Sequence, residues 1–159
     1  MGDRVSRQQA GALGCGTVGI SFLVTLVALA ELLLGEEIGK GGVSTLYNWV
    51  TAGSFTLNLS ILVDSLSIFM LLIVTGVGFV IHVYSVGYME KDPEFNRFFS
   101  YLNFFIFSMA LLVLAADFFF LIVGWAMVGL ASYLLIGFWK EKTSAVLAAR
   151  KAFVMNVIG

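Results

Sequence analysis

This sequence is short of the residues that build water-soluble surfaces and active sites. Of its 159 residues 12% are charged, and it has one proline, one histidine and one cysteine. An ordinary soluble domain carries about 25% charged residues. The lone cysteine, Cys15, excludes a disulfide framework within the chain, and a single histidine excludes a Cys/His metal cluster. Cys15 lies in an apolar run and reads as a small buried hydrophobe. The net charge of −1 offers no general attraction to nucleic acid. The glycines of the stretch 11–16, GALGCG, have no strand–helix context for holding a nucleotide phosphate, and there is no cysteine cluster for iron and sulfur. No cofactor and no metal is therefore expected in this chain. It also lacks a paired buried carboxylate and a nucleophile–base pair, so no catalytic residue is expected.

What the sequence has is apolar length. It is 60% hydrophobic, with a mean hydropathy of +0.99, and the apolar residues fall in long runs. Lipid is the solvent that such a chain fits. The expected fold class is all-α: a polytopic transmembrane helix bundle with four complete helices and the start of a fifth. The helices are expected at about 11–34, 64–89, 97–116, 118–139 and 145–159, in one membrane region. The first run is too long for the apolar part of a signal peptide, about 7–15 residues. The last offers about 15 residues, or roughly 22 Å, against a hydrocarbon core of about 30 Å. The chain is accordingly expected to be a fragment of a longer sequence.

Between the first two helices lies a stretch rich in Gly, Ser, Thr and Asn. Alternation of Phe55, Leu57, Leu59 and Ile61 within it predicts a short extracytoplasmic hairpin over about 45–62, at the membrane surface. Tyr47 and Trp49 suit that interfacial position. Asn58-Leu59-Ser60 also matches a glycosylation acceptor, a weak three-residue signal.

Orientation follows from the basic residues. With the N-terminus in the cytoplasm, Arg4, Arg7, Lys91, Arg97, Lys140, Lys142, Arg150 and Lys151 all lie on that side. Lys40 alone lies on the other, beside Glu36 and Glu37. The positive-inside rule then gives a cytoplasmic N-terminus, and the expected location is a bacterial plasma membrane, spanned several times.

Few ionisable groups occur in or near the spans: Glu31, Asp64, His82 and Asp117. Such residues are costly in lipid and are functional hypotheses by default. Asp64 and Asp117 stand where helices begin and are better explained as N-caps. His82, about two turns inside its helix end, has an ordinary pKa near 6.5. It suits a proton relay, and equally a histidine hydrogen-bonded between helices. Gly76, Gly78, Gly124, Gly129, Ala131 and Ser132 read as close-packing positions between helices.

The run VDSLSIFMLLIVTGVGFVIHVYSVGYM (63–89) resembles the large antiporter-like subunit of respiratory complex I. So do RFFSYLNFFIFSMALLVLAAD (97–117), GWAMVGLASYLLIGFW (124–139) and ARKAFVMNVIG (149–159). The resemblance implies a much longer subunit, with one more helix before Gly11 and two inverted five-helix repeats after it. It implies proton translocation driven by NADH–quinone electron transfer in other subunits. The implied partners are other membrane subunits of the respiratory complex and the lipid bilayer. Any flavin or iron–sulfur cofactor would belong to those partners. The implied enzyme is a translocase in which this chain alone performs no catalytic chemistry. His82 and Lys151 are the proton-path candidates.

Two positions depart from the family pattern. Ala126 stands where the family usually has glutamate after the Gly-Trp pair, the partner of a lysine on a later helix. Val157 stands where it usually has arginine in the Asn-Arg-x-Gly-Asp stretch. The segment is thus expected to carry the scaffold without its central proton-handling pair. Two alternatives stay open: the large subunit of a multisubunit cation/proton antiporter, and an inactive structural membrane module.

Overall fold

A computed structural model describes residues 6–34, 42–52 and 55–159. Its elements are α1 (Arg7–Leu33), β1 (Gly42–Ala52), β2 (Phe55–Val63), α2 (Ser65–Tyr88), α3 (Phe95–Val113), α4 (Phe118–Ile136) and α5 (Thr143–Ile158). The chain is mostly helical, and α1 to α4 are each long and apolar enough to cross a membrane. Arg4, Glu36, Glu37 and Lys40, and the side chains of Trp49, Phe55 and Leu57, fall outside the described residues.

α1, α2 and α4 bury mainly small and polar residues and expose large apolar ones, whereas α3 buries Phe95, Phe99 and Leu102. On α2, Ser67, Thr75, Gly78, His82 and Ser85 face inward. Leu66, Phe69, Ile73, Val77 and Val80 face outward. That inversion suits helices whose outer surface meets apolar surroundings rather than water. α2 packs on α1 and α3, α4 packs on α3, and α5 packs on α4. At one end of the bundle Met89, Phe95, Phe99 and Phe138 form an aromatic-rich cluster, with Cys15 half-buried beside it.

Local chemistry sets the helix ends. Ser6 and Gln9 form a reciprocal cap at the start of α1, which begins the helix at Arg7 rather than at the apolar run. Asp64 and Ser67 do the same for α2, with Ser67 N–H donating to Asp64 Oδ1 at 2.7 Å. The Asp117 carboxylate accepts from Phe120 N–H at 2.8 Å and opens α4. Both aspartates thus cap helices as their position predicts.

Other helix ends also differ from the sequence expectation. α3 stops at Val113 because the next residues pair with the hairpin: Leu62 N–H donates to Leu114 O at 2.9 Å and Ala116 N–H to Ser60 O at 3.3 Å. α4 stops at Ile136 because Phe138 and Trp139 leave the helix to meet Arg97 and Asp92. α5 begins at Thr143, two residues earlier than the apolar pattern.

The hairpin is antiparallel and longer than its alternation suggests, running from Gly42↔Val63 to Ala52↔Phe55. Register shifts near Leu46 and Trp49 interrupt the period-two pattern, and each inserted residue resets which side chains share a face. This hides part of β1 from a reading by alternation. Tyr47 is exposed on β1.

Candidate functional site

The buried histidine is placed by glycine. α2 carries Thr75, Gly78, His82 and Ser85 at spacings of three and four, a single helical face turned toward α1 and α3. Gly78 lets that face approach closely: a Cβ there would lie 2.6 Å from Ile106 Cδ1 and 3.8 Å from Val18 Cγ1. Gly14 does the same on α1, where a Cβ would lie 2.7 Å from the Phe99 ring and 2.9 Å from Asn103 Nδ2. Gly76 against Phe22, and Gly19 against Phe79, complete the α1–α2 contact.

His82 is wholly buried in this junction. Its Nδ1 lies 2.7 Å from Gly78 O. A carbonyl can only accept, so Nδ1 carries a proton, and in the neutral ring Nε2 presents a lone pair. Nε2 is buried and has no hydrogen-bond partner. The ring meets Phe99 edge-on at 6.0 Å between centroids. One turn along α3, Thr17 Oγ1 lies 2.9 Å from Asn103 Oδ1, and Asn103 Nδ2 donates to Phe99 O at 2.9 Å.

Lys151 is not brought to this site. It lies exposed on α5, which packs on α4, whereas His82 faces α1 and α3. The α4–α5 contact is made by other residues. Trp125 Nε1 donates to Asn156 O at 2.8 Å, Asn156 Nδ2 donates to Trp125 O at 3.4 Å, and Gly129 gives the Asn156 amide its space. Ala126 and Val157 are both exposed, on α4 and α5. Glu31 is half-buried near the end of α1, where it lines a groove of about 580 Å³ with Val24, Val27, Ser44 and Ile61.

Charge gathers at the other end of the bundle. Arg7 Nη1 donates to Glu90 O at 2.8 Å, joining the start of α1 to the end of α2. Arg97 pairs with Glu94, donates to Phe138 O at 3.1 Å and lies 4.8 Å over the Phe138 ring. Trp139 Nε1 donates to Asp92 Oδ2 at 3.1 Å, and Lys142 Nζ sits 4.7 Å over the Trp139 ring. Asp64, at the hairpin end, has its carboxyl held below the usual carboxylate range by hydrogen bonds from Ser67. Among the described residues no three His, Cys, Asp or Glu side chains gather as metal ligands.

The polar seam around His82 was not predicted from the sequence. Its signal is present in the 3-4-3 spacing of Thr75, Gly78, His82 and Ser85, which sits within a run otherwise dominated by large apolar residues. Thr17 and Asn103 give no comparable signal, because their pairing is set by how α1 meets α3.

Two family models match the chain. The N-terminal region of NADH-ubiquinone oxidoreductase (complex I) chain 5 matches residues 49–99. The transmembrane region of NADH:quinone oxidoreductase and Mrp antiporters matches residues 115–159. The NADH-quinone oxidoreductase subunit L of Mycobacterium tuberculosis is 47% identical over 147 residues, 92% of this chain and 23% of the relative. That of Escherichia coli is 40% identical over 160 residues, 98% of this chain and 25% of the relative. The NADH-ubiquinone oxidoreductase chain 5 of Chondrus crispus is 42% identical over 152 residues, 92% of this chain and 23% of the relative. The chain thus spans about a quarter of the length of these relatives.

Proposed function

We propose a function from one premise: the chain belongs to the family of complex I subunit L and chain 5 proteins, the antiporter-like membrane subunits of NADH-quinone oxidoreductase. It acts as part of a membrane-arm subunit of a proton-pumping NADH-quinone oxidoreductase and contributes to redox-driven proton translocation. The observation that carries this reading is the pair of family matches, which cover residues 49–99 and 115–159. Other membrane subunits of such a complex and the surrounding bilayer are the proposed partners. The electron-transfer cofactors are assigned to those partners and none to this segment.

The proposed orientation follows from charge. Arg7, Lys91, Arg97, Lys140 and Lys142 lie at the end of the bundle opposite the hairpin. The positive-inside rule puts that end in the cytoplasm and the hairpin outside, in a bacterial plasma membrane.

Of the two proton-path candidates, His82 has the environment of a relay: burial, a fixed tautomer and an unused lone pair. Lys151 is the cation that α5 offers to whatever element covers its exposed face. With Ala126 at an exposed position of α4, this segment supplies no carboxylate there, and its part is that of scaffold and access route. The second reading, a large subunit of a cation/proton antiporter, draws on the joint description of the family matched by residues 115–159.

The test is NADH-driven acidification of membrane vesicles from cells with and without the gene. Loss of NADH-driven proton uptake, with succinate-driven uptake retained, is the expected result. Unchanged NADH-driven uptake together with lost sodium–proton exchange would establish the antiporter reading instead.

A further inference from the structure

The junction of α1, α2 and α3 carries polar groups at two levels. The first holds His82, Asn103 and Thr17. The second holds Thr75 of α2, Ser108 of α3 and Thr25 of α1, all three buried. The close approaches of Gly78 to Val18 and Ile106, and of Gly76 to Phe22, set the helix register that brings these residues to similar depth. Along α1 the hydroxyls continue between the levels: Thr17 donates to Gly14 O, Ser21 to Thr17 O at 3.0 Å and Thr25 to Ser21 O at 2.9 Å. Thr17 to Thr25 covers about 12 Å of helix. Ser21 and Thr25 spend their protons on their own helix and keep acceptor capacity on their oxygens, whereas Thr17 shares its one proton between Gly14 O and Asn103 Oδ1.

A buried acceptor with no partner, such as Nε2 of His82, calls for a physical explanation, commonly a bound water. A water needs space and polar neighbours, and here the space is filled. The Phe99 ring packs on Gly14 and stands edge-on to His82. Phe99 also touches Asn103, one turn further along α3, whose Nδ2 donates to Phe99 O at 2.9 Å. The ring is thus an apolar element in contact with two polar groups that water could join.

We propose that the α1–α2–α3 junction is a water line closed by Phe99, whose displacement from Gly14 lets water reach Nε2 of His82 and link it to the Thr17–Asn103 pair and the hydroxyls beyond. The ligand is water and the proton it carries. This rests on the proton-handling role proposed for His82 for its purpose, though not for its existence. The titratable group that α1 turns toward this level is Cys15. The nearest charged groups of α3 and its preceding loop are engaged elsewhere, Arg97 with Glu94 and Phe138, and Asp92 with Trp139.

His82 is the one histidine within these 159 residues, and nitrogen-15 histidine labelling in lipid bilayers, read as the difference from a His82→Gln variant, reports on His82. Solid-state NMR is expected to show a proton on Nδ1, none on Nε2, and weak magnetisation transfer from water to the ring. Phe99→Ala is expected to raise that transfer several-fold, and Phe99→Leu to leave it weak. Phe99→Val is read in place of the alanine variant if the latter fails to insert. A ring that stays dry in the small variants overturns the water line, as does a wild-type ring already in full contact with water. Vesicle acidification, measured separately, keeps the two readings apart. Pumping with a permanently dry ring sinks the water line alone, whereas a gated wet ring without pumping sinks the pump reading alone.

Discussion

Trp125 and Asn156 hold α4 and α5 together through each other's backbone. The indole N–H donates to the Asn156 carbonyl at 2.8 Å, and the Asn156 amide returns a longer bond of 3.4 Å to the Trp125 carbonyl. Gly129 lies one turn along α4 and leaves the asparagine side chain its space. Hydrogen bonds between membrane helices contribute about 0.6 kcal/mol each on average. Asn156→Ala removes the longer bond and leaves a gap over Gly129, so it is expected to destabilise the α4–α5 contact by about 1 kcal/mol. Trp125→Phe removes the shorter bond while keeping most of the ring, and should cost less. Unfolding by sodium dodecyl sulfate titration in mixed micelles would measure both.

At Gly124 the backbone of α4 comes close to that of α3. A Cβ there would lie 2.8 Å from Leu112 Cα and 2.9 Å from Leu112 N. Backbone cannot rotate aside as a side chain can. Gly124→Ala should therefore force the helices apart and cost about 1–3 kcal/mol, despite the better helix propensity of alanine. Gly16 provides the contrast, since a Cβ there meets nothing within 4 Å. Gly16→Ala is expected to be neutral or slightly stabilising. Spin-label distances between α3 and α4 should lengthen in the first variant and stay fixed in the second.

Asp64 predicts a pH dependence at the hairpin end. Its carboxylate caps α2 and is held below its ordinary range by Ser67. A depressed folded-state pKa means that the cap contributes its stability above the unfolded pKa, near 3.9. That contribution is lost as pH falls through the folded-state value. Thermal unfolding in detergent should therefore show a loss of stability in acid that Asp64→Asn flattens. An identical acid limb in the two proteins would contradict the assignment.

Arg97 braces the loop between α4 and α5. It donates to Phe138 O, lies over the Phe138 ring and pairs with Glu94. A lysine cannot supply the planar fork that makes these contacts together. Arg97→Lys should thus loosen residues 137–142, and trypsin should cut after Lys140 and Lys142 several-fold faster than in the wild type. Unchanged cleavage would mean that the Trp139–Asp92 bond alone fixes the loop.

The helices were readable because apolar length is a signal that needs no tertiary context. So were the caps: aspartate before an apolar run, at 64 and 117, is a local statement. The helix ends at 113 and 136 were not readable. Leu114 and Phe138 are as apolar as the helical residues before them, and it is β2 and Arg97 that draw them out. The candidate site divides in the same way. His82 stands out as an ionisable group in a span, but its closed environment depends on Gly14 and Phe99, which only the register of α1 against α3 brings together. The separation of Lys151 from His82 likewise follows from the order in which the helices pack. No property of either residue predicts it.

The bonds from β2 to the turn after α3 have a consequence for biogenesis. Leu62 and Ser60 find their partners at Leu114 and Ala116, some fifty residues later in the chain. At about 5–20 residues per second, a ribosome takes roughly 3–10 s to make that stretch. For that interval the outer edge of β2 has left the insertion machinery with its strand partner but without its dock. The docking cannot close until α3 has entered the membrane and brought Leu114 and Ala116 to the hairpin. Completion of the hairpin clasp therefore marks the moment at which α3 is in place, and an antibody or protease that reads the undocked edge would time that step directly.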